Sequence, residues 1–171
     1  ANLQATIRAL VPFGLPLAEL TKRVNDLLYE NTTSGRFVTF FWLIVDATDR
    51  TLRYVSAGHN PPFLFRANGP IERLDKGGII LGIMKSVIPY EEGEVVMNNG
   101  DVLVLFTDGV SEAMNAEGEE LGEQCLEEVI KRSLNESAQT ILTRIVDVVK
   151  QHSVNTSQSD DITLVVLKAV E

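Results

Sequence analysis

Three short stretches carry residues whose chemistry exceeds what a turn or loop requires. The first is "VLVLFTDG", an apolar run closed by Thr107 and followed at once by a carboxylate, Asp108, and by Gly109. The second is "SDDITLVVL", where Asp160 and Asp161 stand directly ahead of another apolar run. If the two runs are neighbouring antiparallel strands, the end of one lies beside the start of the other. Asp108 and Asp160 then come to one rim of a sheet. Carboxylates gathered there repel one another, each raising the other's pKa, unless a cation neutralises them. A hard divalent ion such as Mg²⁺ or Mn²⁺, held by carboxylates and water, resolves that conflict. The same residues read equally as an Asp-Gly turn and a polar loop. The third stretch is "SAGHNPP", in which two prolines fix a bend that displays His59 and Asn60 and hold Asn60 extended. A lone His in such a bend is as readily structural as chemical.

Composition removes several other chemistries. One cysteine and two histidines are too few for a zinc site made of protein ligands alone. Cys125 lies in the apolar-periodic stretch "CLEEVIKRSL", where a packed thiol is expected rather than a nucleophile, and a single cysteine excludes an internal disulfide. With 24 acidic against 15 basic residues the net charge is −9, which argues against a nucleic-acid partner. No apolar run approaches the roughly 20 residues of a membrane helix. A cytoplasmic protein is the expectation. An apolar fraction of 44% and a charged fraction of 23% over 171 residues fit one folded domain spanning 1–171.

The elements that must position these residues can be read from periodicity. Leu3, Ile7, Leu10 and Val11 line one helical face, and Pro16 opens a second helix with Leu17, Leu20, Val24, Leu27 and Leu28 on its apolar side. The two helices are expected as an antiparallel pair. "FVTFFWLIVD" is β-branched, aromatic and continuous, so a strand buried on both faces is expected. "TLRYVSA" follows after the turn "ATDR", and "FLFR" and "IERL" flank "ANGP" as a tight hairpin. Beyond the glycine-rich "GGIILGIM" come "IPYEEGEVVM" and "DVLVLF", joined by "NNGD". Helical segments are expected near Val110–Met114, over Gly122–Leu134, and from Ala138 to about His152, the last with Ser137 as N-cap. "NTSQSDD" is a polar loop and "ITLVVL" a closing strand. Runs of strands beside runs of helices give an α+β class with mainly antiparallel sheet.

The wording, order and spacing of "FVTFFWLIVDATDRTLRYVSAGHNPPFLFR", "GGIILGI", "GDVLVLFTDGVSEAMN" and "SDDITLVVLK" resemble the SpoIIE/RsbU-type bacterial serine/threonine phosphatases of the PPM superfamily, over nearly the whole chain. The resemblance implies an α-β-β-α sandwich of two mainly antiparallel sheets flanked by helices. It implies two Mn²⁺ or Mg²⁺ ions per intact domain and hydrolysis of phosphoserine or phosphothreonine by a metal-activated water. By the same resemblance Asp108 and Asp160 are metal ligands and catalytic. Gly109 permits the turn that aims Asp108, Glu112 orients water, Asp161 stands behind the ligands, and His59 and Asn60 lie near the site. Expected partners are a phosphoprotein substrate of the anti-sigma-factor-antagonist type, an upstream sensor or regulatory domain, and a possible second copy of the chain. The family's "GDVSGHG"-like motif, whose Asp bridges both metals, does not occur in these residues, and neither do the strands that precede it. The sequence is therefore expected to be a domain incomplete at its N-terminus, inactive or weak by itself and prone to self-association through exposed sheet edges. The alternative expectation is a non-catalytic regulatory module on the same scaffold.

Overall fold

A computed structural model describes residues 3–32, 35–154, 156 and 160–170. They form an α+β arrangement with two four-stranded sheets, distributed over two compact units.

The first unit comprises residues 1–59 and 74–96. Helix α1 (Leu3–Leu10) ends in a short 3-10 turn, Val11–Phe13, which Gly14 closes in the left-handed region at φ 61°. Helix α2 (Leu17–Asn31) starts on Pro16, whose missing N–H costs nothing at that position. Leu17, Leu20, Val24 and Leu28 are buried, and Leu3, Ile7 and Leu10 pack against the same cluster. Two residues assigned to these faces from periodicity lie elsewhere. Val11 belongs to the 3-10 turn and is exposed, and Leu27 is 40% exposed because only one of two adjacent leucines can face the core of a 3.6-residue helix.

Strands β1 (Phe40–Asp46) and β2 (Thr51–Ala57) pair antiparallel in register from Phe40↔Ala57 to Asp46↔Thr51. β2 also pairs in parallel with β5 (Gly77–Gly78) and antiparallel with β6 (Gly93–Val96). The expectation that β1 is buried on both faces is not met. Phe40 to Leu43 are half-buried, and Ile44 and Val45 are 42% and 46% exposed. β1 has β2 on one side and no other named strand among the described residues, and an edge position leaves apolar side chains in contact with water.

The second unit comprises residues 60–73 and 97–171. Its sheet runs β4 (Ile71–Arg73), β3 (Phe63–Phe65), β7 (Val102–Phe106), β8 (Leu164–Lys168), every pair antiparallel. The hairpin around "ANGP" is present as β3–β4. β6 and β7, adjacent in sequence, join different sheets rather than pairing with each other. The connection is held by Asp101, which is 1% exposed and accepts hydrogen bonds from the amides of Asn98 and Ala67 and from Arg66. Burial opposes its charge, but the Ala67 amide, the Arg66 guanidinium and the Asn98 amide outweigh that and lower its pKa.

Helices α3 (Asp108–Ser111), α4 (Glu123–Lys131) and α5 (Ala138–His152) complete this unit. Ser137 caps α5 by accepting from the Thr140 amide at 3.1 Å. Ile141, Ile145 and Val149 recur at helical spacing and are buried with Phe63, Phe65, Val104, Phe106, Leu126 and Ile130. Each such apolar side chain contributes about 1.5–3 kcal/mol by leaving water. Val102, Val104 and Phe106 of β7 belong to this core, and Leu164 and Val166 of β8 pack against it.

Candidate metal centre

The last registered pair of the β7–β8 ladder is Phe106↔Leu164. Beyond it the backbones stay together for one more residue, the Thr107 amide donating to the Thr163 carbonyl at 3.1 Å. The Asp108 turn and the Asp160–Asp161 turn therefore leave the sheet at the same rim. A side chain then takes over from the ladder. The Thr107 hydroxyl donates to the Asp161 carbonyl at 2.9 Å and accepts from the Thr163 amide at 2.9 Å.

Gly109 brings the turns into van der Waals contact. A Cβ at this position would lie 2.6 Å from the Asp161 carbonyl oxygen and 3.2 Å from that of Asp160. Its φ is not positive, and it sits inside α3. The glycine is thus required for close approach to the second turn.

Asp108 is exposed, and its Oδ1 accepts from the Gly109 amide at 3.0 Å. Among the described residues it makes no ion pair with Lys, Arg or His. Asp160 is likewise exposed, with Oδ1 accepting from the Asp161 amide at 2.7 Å. In both residues the named bond engages one carboxylate oxygen. Glu112 is exposed, and its amide donates to the Asp108 carbonyl at 2.8 Å, so its backbone is tied to the same turn. Asp161 contributes its carbonyl to Thr107 and its amide to Asp160.

His59 and Asn60 fall at the division between the two units. Gly58 adopts φ 71°, a left-handed conformation that suits glycine. The half-buried His59 packs edge-on to Phe41 with centroids 6.3 Å apart, and its carbonyl accepts from the Ser56 hydroxyl. Asn60 opens the second unit ahead of β3. Residues 155 and 157–159 of the "NTSQSDD" loop lie outside the described residues.

The donors at the rim are hard oxygens, the type that suits Mg²⁺ or Mn²⁺. Among the described residues, however, no three His, Cys, Asp or Glu side chains group closely enough to hold a metal. Asp108 and Asp160 therefore suit a divalent cation in type but do not complete a coordination shell. Sequence reasoning missed Thr107. Its only local sign was a hydroxyl directly ahead of Asp-Gly, at a place where a hydroxyl is normally taken for a helix cap.

Comparison with known proteins places this geometry in context. A family model described as Stage II sporulation protein E (SpoIIE) matches residues 1–170. The Phosphoserine phosphatase RsbU of Bacillus subtilis (strain 168) is 28% identical over 156 residues, which cover 91% of this chain and 46% of that protein. The chain thus spans about half the length of this curated relative. Among solved structures, the SiaA-PP2C domain of Pseudomonas aeruginosa superposes with a TM-score of 0.80 at 17% identity, covering 97% of this chain and 67% of that one. The catalytic domain of the serine threonine protein phosphatase PstP, solved in complex with two manganese ions, gives 0.66 at 14% identity, covering 99% and 81%. At such identities these likenesses concern the fold.

Proposed function

Because the chain belongs to the SpoIIE family, we propose that it is the core of a metal-dependent protein phosphatase, acting on phosphoserine or phosphothreonine of a regulatory protein. Asp108 and Asp160 would hold the divalent ion, Mn²⁺ or Mg²⁺. A bound ion of this kind supplies water activation near neutral pH and neutralises developing phosphoryl charge. The chain's own residues fix where the carboxylates stand: the Gly109 and Asp161 amides each hold one carboxylate oxygen. Glu112, tied through its amide to Asp108, is proposed to orient water. Asp161 is proposed to support Asp160, and His59 and Asn60 to lie near the substrate. The observation that carries the reading is the direct coupling of the Asp108 turn to the Asp160–Asp161 turn through Thr107 and Gly109. A loop merely reversing direction has no need of that coupling.

The proposed substrate is a phosphoprotein of the anti-sigma-factor-antagonist type, in a cytoplasmic pathway with an upstream regulatory domain. The RsbU match supports the phosphoserine part of this reading, since that relative is a phosphoserine phosphatase. Because no third ligand groups with Asp108 and Asp160 among the described residues, the 171-residue polypeptide is proposed to bind metal weakly and turn over slowly. The same observation favours a second reading, a non-catalytic regulatory module. Calorimetric Mn²⁺ titration of the wild type, Asp108→Ala and Asp160→Ala tests the centre: weaker binding in both variants is expected, and equal binding in all three would remove it. Robust p-nitrophenyl phosphate hydrolysis by this polypeptide would overturn the claim of low activity.

A further inference from the structure

Thr107 occupies the N-cap position of α3, where a Thr side-chain oxygen ordinarily accepts from a free amide of the first turn. Here it makes no such bond. The cap is met without it: the Gly109 amide is taken by Asp108 Oδ1, and the Val110 amide by the Thr107 carbonyl at 3.0 Å. The hydroxyl is thereby released, and it spends both its donor and its acceptor capacity on the opposite turn, at Asp161 and Thr163. These partners lie more than fifty positions away in sequence, one and three residues after Asp160.

We propose that Thr107 is a positioning residue for the metal centre, its hydroxyl acting as a clip that sets the Asp160–Asp161 turn against the Asp108 turn. This rests on the metal-centre reading for its consequence but not for its geometry. β-branching restricts χ1, which lowers the entropic cost of holding the hydroxyl on Asp161 and Thr163. Gly109 supplies the other half of the arrangement, removing the Cβ that would push the Asp161 carbonyl away from the clip. Both devices act on one oxygen atom, the Asp161 carbonyl. The clip lies at a partly exposed rim, so water can replace it when it is lost. Removing it should therefore loosen the turns without unfolding the sheet.

The test compares Thr107→Val, which keeps the shape and removes the hydroxyl, with Thr107→Ser, which keeps the hydroxyl. Amide exchange and amide chemical shifts are measured in the metal-free chain, and Mn²⁺ affinity by calorimetry. In Thr107→Val the Thr163 amide should exchange about tenfold faster relative to Leu103 and Val104, as expected for loss of one hydrogen bond. The Asp108 and Asp161 amide shifts should move with it. Mn²⁺ affinity should fall about tenfold or more, as when a partner orienting a metal ligand is removed. Thr107→Ser should restore all three. Unchanged Thr163 exchange in Thr107→Val overturns the clip, and so does faster exchange with Mn²⁺ affinity at the wild-type level. If the wild type binds Mn²⁺ no better than Asp108→Ala, the metal reading fails by itself, and exchange and shifts still decide whether the clip exists.

Discussion

Replacing Gly109 by Ala adds one methyl group at the tightest point between the two acidic turns. The Cβ would stand 2.6 Å from the Asp161 carbonyl oxygen, whereas ordinary contact begins at 3.4 Å, so the backbones must separate by about 0.8 Å. The obstacle is backbone, not the end of a flexible side chain, and it is pinned by the Thr107 hydroxyl and by the ladder that follows. Overpacking against such a target costs about 1–3 kcal/mol. Up to about 1 kcal/mol is returned by the better helix propensity of Ala, because Gly109 lies in α3 without a positive φ. With the full return, a net loss of up to about 2 kcal/mol remains, equivalent to a fall of up to roughly 8 °C in Tm for a chain of this size. Thermal unfolding by circular dichroism reads that change. Amide shifts in the metal-free protein should localise it to residues 107–112 and 160–163. Calorimetry should find Mn²⁺ affinity reduced more than Tm alone would suggest, since displacement falls on the segment carrying Asp160. An Ala variant as stable as wild type, with unmoved Asp160 and Asp161 amides, would refute the claim that close approach is what this glycine serves.

Other consequences can be checked independently. Asp101→Asn should destabilise by about 2–4 kcal/mol, because it weakens charge-assisted bonds to Arg66 and to the Ala67 and Asn98 amides inside the unit. Its folded pKa lies below the ordinary 3.8, so the charged form's stability is present above that value and is lost as pH falls through the lower folded pKa. Urea unfolding should therefore show a full gap between wild type and variant near neutral pH that narrows below about pH 4; a gap independent of pH would contradict the assignment. Ser137→Ala should cost about 1 kcal/mol by uncapping α5, with Ser137→Asp retaining most of it, both read from Tm. Exposed Ile44 and Val45 on the outer strand β1 should promote self-association of the 171-residue polypeptide, which Ile44→Lys should reduce in light scattering. A monomeric wild type would count against that expectation.

The parts of the fold legible in the sequence are those specified by neighbours a few residues away. α5 announces itself through Ser137 and the spacing of Ile141, Ile145 and Val149, and each of those residues does what its position implies. The β3–β4 hairpin is likewise written locally, in "ANGP" between two short apolar runs. Misreadings arise where burial depends on what lies beside an element. The apolar run of β1 implied cover on both faces, but a strand's own residues do not say whether it stands at an edge. Nor do the residues of "NNGD" say whether the strands it joins share a sheet, and β6 and β7 do not. At that connection the buried Asp101 side chain accepts from the Asn98 amide, and it also takes the Ala67 amide between β3 and β4.

The candidate centre divides along the same line. The convergence of the Asp108 and Asp160 turns was legible because a carboxylate at a strand end is chemically conspicuous, and the antiparallel register of β7 and β8 brings those turns to one rim. Thr107 and Gly109 were not legible in their actual roles, since both act on a segment more than fifty residues away. In local terms each has an ordinary explanation, a helix cap and a flexible turn. Only the registered pairing of β7 with β8 turns the hydroxyl into a clip and the missing Cβ into a contact. In the proposed centre "Thr-Asp-Gly" divides its work by residue: the Asp supplies charge, while its two neighbours fix where the opposing turn stands. Asn in place of Asp108 should leave the Thr163 exchange of the metal-free chain unchanged. Acceleration there would mean the charge itself, not the clip, holds the turns together.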